Sequence, residues 1–138
     1  MVNWAGFYVI DRRDITRLIL GPFHGKVACQ TIKLGKGVCG TAAGQGKTIM
    51  LQDVNDFPGH IACDGESKSE IVAAIRAEGK VSSVCVLCQF YAETIKQVVG
   101  VIDIDCAEMQ GFDDSDKEGL EAVAALLGDC CDWTEFLS

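Results

Sequence analysis

The chain has 138 residues, which falls within the usual size of one domain and allows roughly two-thirds of the unfolded surface to be buried. Hydrophobic residues make up 49% and charged residues 23%, a balance that excludes a disordered or fibrous protein. The net charge of -8, with no cluster of Lys or Arg, argues against partners such as nucleic acid or anionic lipid.

The predicted elements begin with a hairpin. NWAGFYVI (3–10) and ITRLILGPF (15–23) are rich in β-branched and aromatic residues and flank the charged turn DRRD. Downstream, the pattern predicts a partly alternating strand, a glycine-rich loop that enters a short helical turn, and three further strands, in the order 26–34, 35–47, 48–54, 69–75 and 98–106.

The last segment (112–137) opens with acidic and Ser residues that are good helix caps. Its apolar residues recur at helical spacing, which predicts a C-terminal amphipathic helix that Gly128 weakens. Strands in the middle and a helix at the end predict an α+β fold, with an antiparallel sheet and flanking helices in a single domain over 1–138.

No sign of secretion or membrane insertion is present. The start lacks a basic segment before a long apolar run, and no stretch of about 18 apolar residues occurs. Eight cysteines in such a chain indicate a compartment that keeps thiols reduced, so we expect a cytoplasmic protein. Catalysis, metal binding or burial then explain the cysteines better than a fixed disulfide framework.

Three cysteines lie in loop or strand-edge segments beside glycine or polar residues: Cys29, Cys39 and Cys63. The other five lie in apolar runs or late in the predicted helix: Cys85, Cys88, Cys106, Cys130 and Cys131. A single cysteine is more often a small buried hydrophobe than a nucleophile. Cys63 departs most from that pattern, because the glycines of its loop let backbone N–H groups turn toward the sulfur, although neighbouring acidic residues oppose a thiolate there.

His60 and the pair Asp103 and Asp105 could each have a functional role or a purely structural one. His60 is more often a surface or hydrogen-bonding residue than a general acid, so no catalytic role is assigned to it. Asp103 and Asp105 share one face of their strand, where two close carboxylates hold one proton and offer a donor beside an acceptor for an ammonium group. A solvated sheet face explains the same spacing, and the pattern leaves both open.

Cys85 and Cys88 have the spacing of half a zinc site or of a redox dithiol, and Cys130 with Cys131 would supply the other half. Adjacent cysteines seldom ligate one ion together, and the intervening sequence lacks loops rich in ligands. No metal site is therefore predicted.

Six segments, in order, resemble the free methionine-(R)-sulfoxide reductases, which are built on a GAF domain: NWAGFY, LGPFHGKVAC, GKGVCGTAA, DVNDFPGHIACDGESKSEIV, VVGVIDID and FDDSDKEGLEA. The match spans most of positions 3 to 125. The match is specific because it includes three cysteines at fixed spacing. Cys39 in GVCGT follows Cys29 by ten residues, and Cys63 in HIACD follows Cys39 by twenty-four.

The resemblance implies a role for each of these cysteines. Cys63 corresponds to the cysteine that attacks the sulfoxide sulfur, Cys29 to the principal resolving thiol and Cys39 to a third redox cysteine. The attacking role has been given to either Cys39 or Cys63 within the family, and we assign it to Cys63. The resemblance also implies a set of substrate-binding residues, three carboxylates and two aromatic rings: Glu70, Asp103, Asp105, Trp4 and Tyr8.

The implied activity is reduction of free L-methionine-(R)-sulfoxide through a cysteine sulfenic acid and a disulfide, as part of the response to oxidative stress. No bound cofactor or metal is implied, and thioredoxin is the external reductant. The alternative is a non-catalytic GAF module that senses a small molecule or the redox state. A third, structural interpretation treats the cysteines as core residues or zinc ligands.

The chain departs from the family in two places. The family usually has a helical segment before NWAGFY, which this sequence lacks, so we expect part of the sheet or a homodimer surface to be uncovered. Residues 82–98 resemble a seventeen-residue insertion between EGKV and VGVIDID. If it displaced Asp103 and Asp105, activity would be poor.

Overall fold

Residues 1–60, 65–78 and 96–137 are described by the structure, which is a computed structural model. It contains six strands: β1 (Val2–Asp11), β2 (Asp14–His24), β3 (Thr31–Lys33), β4 (Ile49–Leu51), β5 (Ser69–Glu78) and β6 (Lys96–Cys106). They form one antiparallel sheet in the order β3-β2-β1-β6-β5-β4. The helices are α1 (Gly37–Gln45) and α2 (Asp114–Cys130), with 3-10 turns at Val54–Asp56 and Thr134–Phe136. The predicted α+β architecture is confirmed.

Two predicted strands are shorter in the structure than in the sequence analysis. The strand expected over 26–34 is reduced to Thr31–Lys33, because side chains of β1 bind the carbonyls of residues 26 and 29 and hold this segment as a loop. The strand expected over 48–54 ends at Leu51, since the Asp53 carboxylate accepts a hydrogen bond from the Asn55 N–H at 2.9 Å and starts a 3-10 turn.

A helix covers each face of the sheet. One cluster of buried residues lies under α1 and a second under α2. The first includes Tyr8, Val38, Ala42, Val72 and Val101, and the second includes Ala73, Ile75, Val99, Ile102 and Ala124. Since alternate strand residues face opposite sides, Asp103 and Asp105 lie with Val101 on the face that α1 covers. No helix in the described part of the chain is long and apolar enough to cross a membrane.

The predicted insertion (82–98) falls mainly outside the described residues, which resume at residue 96. Its last three residues belong to β6, where Lys96 pairs with Glu78 of β5. From there β6 stays paired with β5, with one register shift beside Ile75, and from Gly100 it also pairs with β1, whose register shift lies beyond Asp105, between Val2 and Trp4. Asp105 lies opposite Glu70. The two aspartates are therefore in register with the sheet and not displaced.

Helix α2 begins with a capping box, as its acidic start predicted. Asp113 Oδ1 accepts a hydrogen bond from the Asp116 N–H at 2.9 Å, and Asp116 Oδ2 accepts one from the Asp113 N–H at 2.9 Å. Near its other end, a Cβ added to Gly128 would collide with the carbonyl oxygen of Arg76 in β5. Gly128 lowers helix propensity but lets α2 approach the sheet backbone.

We expect Gly128→Ala to destabilise the fold by about 1–3 kcal/mol, because overpacking against β5 outweighs the gain of alanine in a helix. Gly119→Ala in the same helix is the matched control, since a Cβ there meets no described atom within 4 Å. The control should stabilise by up to about 1 kcal/mol. Urea unfolding of both variants measures the difference, and equal stabilisation by the two would contradict the close packing.

Candidate active site

A pocket lies on the α1 face of the sheet, where β1, β5 and β6 meet the start of α1. Six of the predicted site residues line it: Trp4, Tyr8, Cys39, Glu70, Asp103 and Asp105. They come from four separate elements of the chain. Cys63, predicted as the attacking cysteine, lies outside the described residues, so its placement is not part of this geometry.

The three carboxylates meet because β5 and β6 are paired. Glu70 lies directly opposite Asp105 in the sheet, and Asp103 is two residues away on the same face. Glu70 and Asp103 are each only 6% exposed. Burial, and then the negative charges of Glu70 and Asp105, raise the pKa of Asp103 well above its usual range. Asp103 therefore belongs to an enclosed acidic cluster, and the alternative of a solvated sheet face is wrong.

Cys39 is the third residue of α1 and is buried beside these acids. Its thiol donates a hydrogen bond to Asp103 Oδ2 at 3.2 Å. Burial raises the pKa of the Cys39 thiol well above its usual range, and the charges of Asp103 and Glu70 add to the effect. The segment 35–47 was predicted as a loop that enters a short helical turn; Cys39 lies in the helical part, as a neutral buried thiol and not at a loop or strand edge.

His60 was given no catalytic role from the sequence, yet it lines the same pocket. Its Nε2 lies 3.2 Å from Glu70 Oε2, and both side chains are largely buried. The hydrogen bond to Glu70 raises the pKa of His60, against a smaller opposing effect of burial. The one signal for this contact in the sequence was the position of His60 in the Cys63 loop, which does not reveal that the loop reaches β5.

Trp4 and Tyr8 line the pocket and also hold the loop that carries Cys29. Tyr8 donates its hydroxyl to the Cys29 carbonyl at 2.9 Å, and Trp4 Nε1 donates to the Lys26 carbonyl at 3.0 Å. The two rings are stacked with centroids 6.0 Å apart. The predicted aromatic wall therefore also anchors the segment of the predicted resolving cysteine.

Cys29 forms a disulfide. Its partner is none of the other cysteines that the structure describes, since all four are free thiols: Cys39, Cys106, Cys130 and Cys131. The loop of Cys29 lies beside the segment that follows residue 64, because Lys26 Nζ is 2.7 Å from Glu66 Oε1. Asn3 Nδ2 also donates to Ser67 Oγ at 3.2 Å. The described ends of the two cysteine loops are thus neighbours.

The remaining described cysteines do not line the pocket. Cys106 is buried at the end of β6, in a cluster with Ile71 and Phe112, while Cys130 and Cys131 are exposed at the end of α2. Cys85 and Cys88, the other half of the zinc pattern weighed from the sequence, lie outside the described residues.

A family model of the GAF domain matches residues 2–130. The chain belongs to the GAF domain family. Within that family, this GAF domain is 52% identical over 131 residues to the free methionine-R-sulfoxide reductase of Saccharomyces cerevisiae, a match that covers 94% of this chain and 63% of the relative. It is 41% identical over 126 residues to the enzyme of the same name in Escherichia coli, covering 91% of this chain and 64% of the relative.

Solved structures of the same kind resemble this GAF domain closely. The fRMsr of Staphylococcus aureus in its reduced form is 42% identical with a TM-score of 0.73, over 92% of this chain and 70% of that one. The free methionine-R-sulfoxide reductase of Neisseria meningitidis in complex with its substrate is 35% identical with a TM-score of 0.75, over 92% of this chain and 65% of that one. The resemblance predicted from the sequence is confirmed. The chain spans less than two thirds of the length of the yeast and E. coli relatives.

Proposed function

We propose that this chain reduces free L-methionine-(R)-sulfoxide to L-methionine. The observation that carries the proposal is the convergence of three carboxylates, two aromatic rings and a thiol on one pocket. Carboxylates suit the ammonium group of a free amino acid, and stacked rings suit its methyl-sulfur end. The names of the yeast and E. coli relatives support the same substrate.

The acidic cluster supports selectivity for the free amino acid over a peptide. An internal residue of a peptide has no ammonium group to pair with Glu70 or Asp105. Neither Lys nor Arg is among the described residues that line the pocket. A cationic group of the ligand therefore does not compete with a Lys or Arg side chain for the carboxylates there. Peptide-bound methionine sulfoxide is therefore expected to bind poorly.

We assign the proton donor to Asp103. Its Oδ2 accepts from the Cys39 thiol, whereas its buried Oδ1 has no hydrogen-bond partner among the described residues. A proton on Oδ1 is therefore available to a sulfoxide oxygen in the pocket. Protonation makes that oxygen a better leaving group as a thiolate attacks the sulfur.

We assign the attack to Cys63. The described residues on either side of its segment, His60 and Ser67, both line the pocket, which supports a position of the loop near the substrate. Cys39 is less suited, because a buried thiol among carboxylates is a poor source of thiolate. The attack joins the Cys63 sulfur to the methionine sulfur; the protonated oxygen then moves to the Cys63 sulfur as that S–S bond breaks, which leaves Cys63 as a sulfenic acid and releases methionine with its sulfur reduced by two electrons.

We assign the resolving step to Cys29. Its thiol attacks the sulfenic sulfur, water leaves, and a Cys29–Cys63 disulfide forms. The proximity of Lys26 and Glu66 supports this pairing, since these residues flank the two cysteine segments. A dithiol of the thioredoxin class then reduces the disulfide by exchange, and no bound cofactor is needed. This chemistry suits the cytoplasm, where thiols are kept reduced. The single domain over 1–138, the insertion at 82–98 and a homodimer are predictions from the sequence.

Thioredoxin-coupled NADPH oxidation tests the proposal. Consumption of NADPH is expected with free L-methionine-(R)-sulfoxide, and the rate should fall to background with the S epimer or with a peptide containing the R epimer. Equal rates with both epimers would refute the assignment. Reversible binding of the R epimer without loss of thiols would instead favour the sensory module.

A further inference from the structure

Three buried donor groups of mixed chemistry meet in the pocket: the Cys39 sulfur and carboxylate oxygens of Glu70 and Asp103. One atom from each lies within 4.8 Å of the other two. They are held by α1, β5 and β6, so the paired strands and the packed helix fix their positions. The proposed reaction uses Glu70 to pair with the ammonium group and Asp103 as the proton donor, but it gives the buried Cys39 thiol no role.

The spacing of these atoms suits a small metal ion. In a tetrahedral zinc site, with bonds of about 2.3 Å to sulfur and about 2.0–2.2 Å to oxygen, sulfur and oxygen ligands lie roughly 3.5 Å apart. Cys39 Sγ and Asp103 Oδ2 are 3.2 Å apart, close to that edge length. An oxygen of Glu70, within 4.8 Å of a ligand atom of each of the other two residues, supplies the third donor.

Two further observations indicate that a cation fits this position. Asp103 is only 6% exposed, and its Oδ1 has no hydrogen-bond partner among the described residues. Such a buried oxygen is costly unless a ligand satisfies it, and an ion held by both oxygens of the Asp103 carboxylate would satisfy Oδ1 together with Oδ2. His60 contacts Glu70 Oε2 at 3.2 Å, which matches the common arrangement of an outer residue that orients a metal-binding side chain.

We propose that this pocket binds a zinc-type divalent ion through Cys39, Glu70 and Asp103. A sulfur ligand beside two carboxylates favours zinc over magnesium or calcium, which prefer oxygen alone. The fourth position is left for water or a substrate group. The ion displaces the protons of its ligands on binding. Cys39 is a free thiol while Cys29 is disulfide-bonded, so the site exists in the oxidised protein.

The ion and the amino acid require the same carboxylates and therefore exclude each other. This part of the inference rests on the proposed function, whereas ion binding itself does not. Zinc then acts as a reversible inhibitor that is competitive with the sulfoxide. A metal titration distinguishes ion binding from the proposed activity, because it involves no turnover.

Cobalt(II) is the probe, since it takes zinc sites and gives a near-ultraviolet charge-transfer band with a thiolate ligand. The full chain is titrated without reductant in a Cys130→Ser, Cys131→Ser background, which removes the two exposed thiols. We expect one ion per chain with a sulfur-to-cobalt band. Cys39→Ser should abolish this band, and Cys106→Ser, which alters a buried cysteine outside the pocket, should keep it.

Glu70→Gln tests the site without changing a cysteine, and we expect its cobalt affinity to fall by at least about tenfold. Added methionine should weaken cobalt binding in the parent protein. A band unchanged in Cys39→Ser, or an affinity unchanged in Glu70→Gln, would overturn the metal site. If methionine had no effect on cobalt binding, the competition between ion and amino acid would be overturned. If cobalt bound as expected but the metal-free protein did not reduce the sulfoxide, the proposed function alone would be overturned.

Discussion

Replacing Cys29 with serine should allow one round of sulfoxide reduction and no second. The attacking cysteine remains, so each reduced protein molecule should yield about one methionine in a single-turnover assay. Without the resolving thiol the sulfenic acid persists, and the thioredoxin-coupled steady-state rate should fall on the order of 100-fold or more. Quantifying methionine per protein in both assays measures the two effects.

Cys63→Ser is the complementary variant and should yield no methionine in either assay. Cys106→Ser is the matched control, because Cys106 is a buried free cysteine outside the pocket. It should behave as the parent protein in both. One equivalent of methionine from Cys63→Ser would move the attack to another thiol, with Cys39 as the first candidate. Sustained turnover by Cys29→Ser would contradict the resolving role.

Asp103→Asn should lower kcat by about 10²–10⁴-fold, the usual contribution of a positioned general acid. Asparagine keeps the shape of the side chain but cannot supply the same proton, so KM should change less than kcat. Glu70→Gln should instead act mainly on KM, because it removes a charge that pairs with the ammonium group. Steady-state kinetics with the free R epimer separate the two effects.

Asp129→Asn serves as the control for both acid variants, because Asp129 forms an exposed ion pair with Lys96 at 3.1 Å and lies far from the acids in sequence and fold. Its kinetics should equal those of the parent. An Asp103→Asn variant with unchanged kcat and raised KM would show that Asp103 binds substrate and does not donate the proton.

Local patterns predicted the strands that build the pocket, because the alternation of a strand is set by the backbone of a few residues. The shared face of Asp103 and Asp105 follows from that rule alone. The same rule cannot say whether that face is exposed to solvent. Its burial depends on α1, which comes some sixty residues earlier in the chain and covers the sheet. The pairing of Glu70 with Asp105 is likewise a property of sheet register.

Contacts between loops and strands were beyond prediction for the same reason. His60 reaches Glu70 only because the described segment that ends at His60 lies beside the start of β5. Residues 26–30 form a loop and not a strand, because one indole and one phenol group of β1 donate hydrogen bonds to the carbonyls of Lys26 and Cys29. Gly128 was expected to weaken α2 by propensity, and only the approach of β5 shows why glycine is needed there.

The anchoring of the Cys29 loop by Trp4 and Tyr8 has a consequence for the redox cycle. These hydrogen bonds involve backbone carbonyls and not sulfur, so we expect them to persist when the Cys29 disulfide is cleaved in the proposed cycle. The reduced loop then stays tethered to β1, and the Cys29 thiol keeps a high effective concentration toward the neighbouring loop. In the proposed reaction, disulfide closure is then an intramolecular step, and we expect it to be faster than oxidation of the sulfenic acid by a second oxidant from solution.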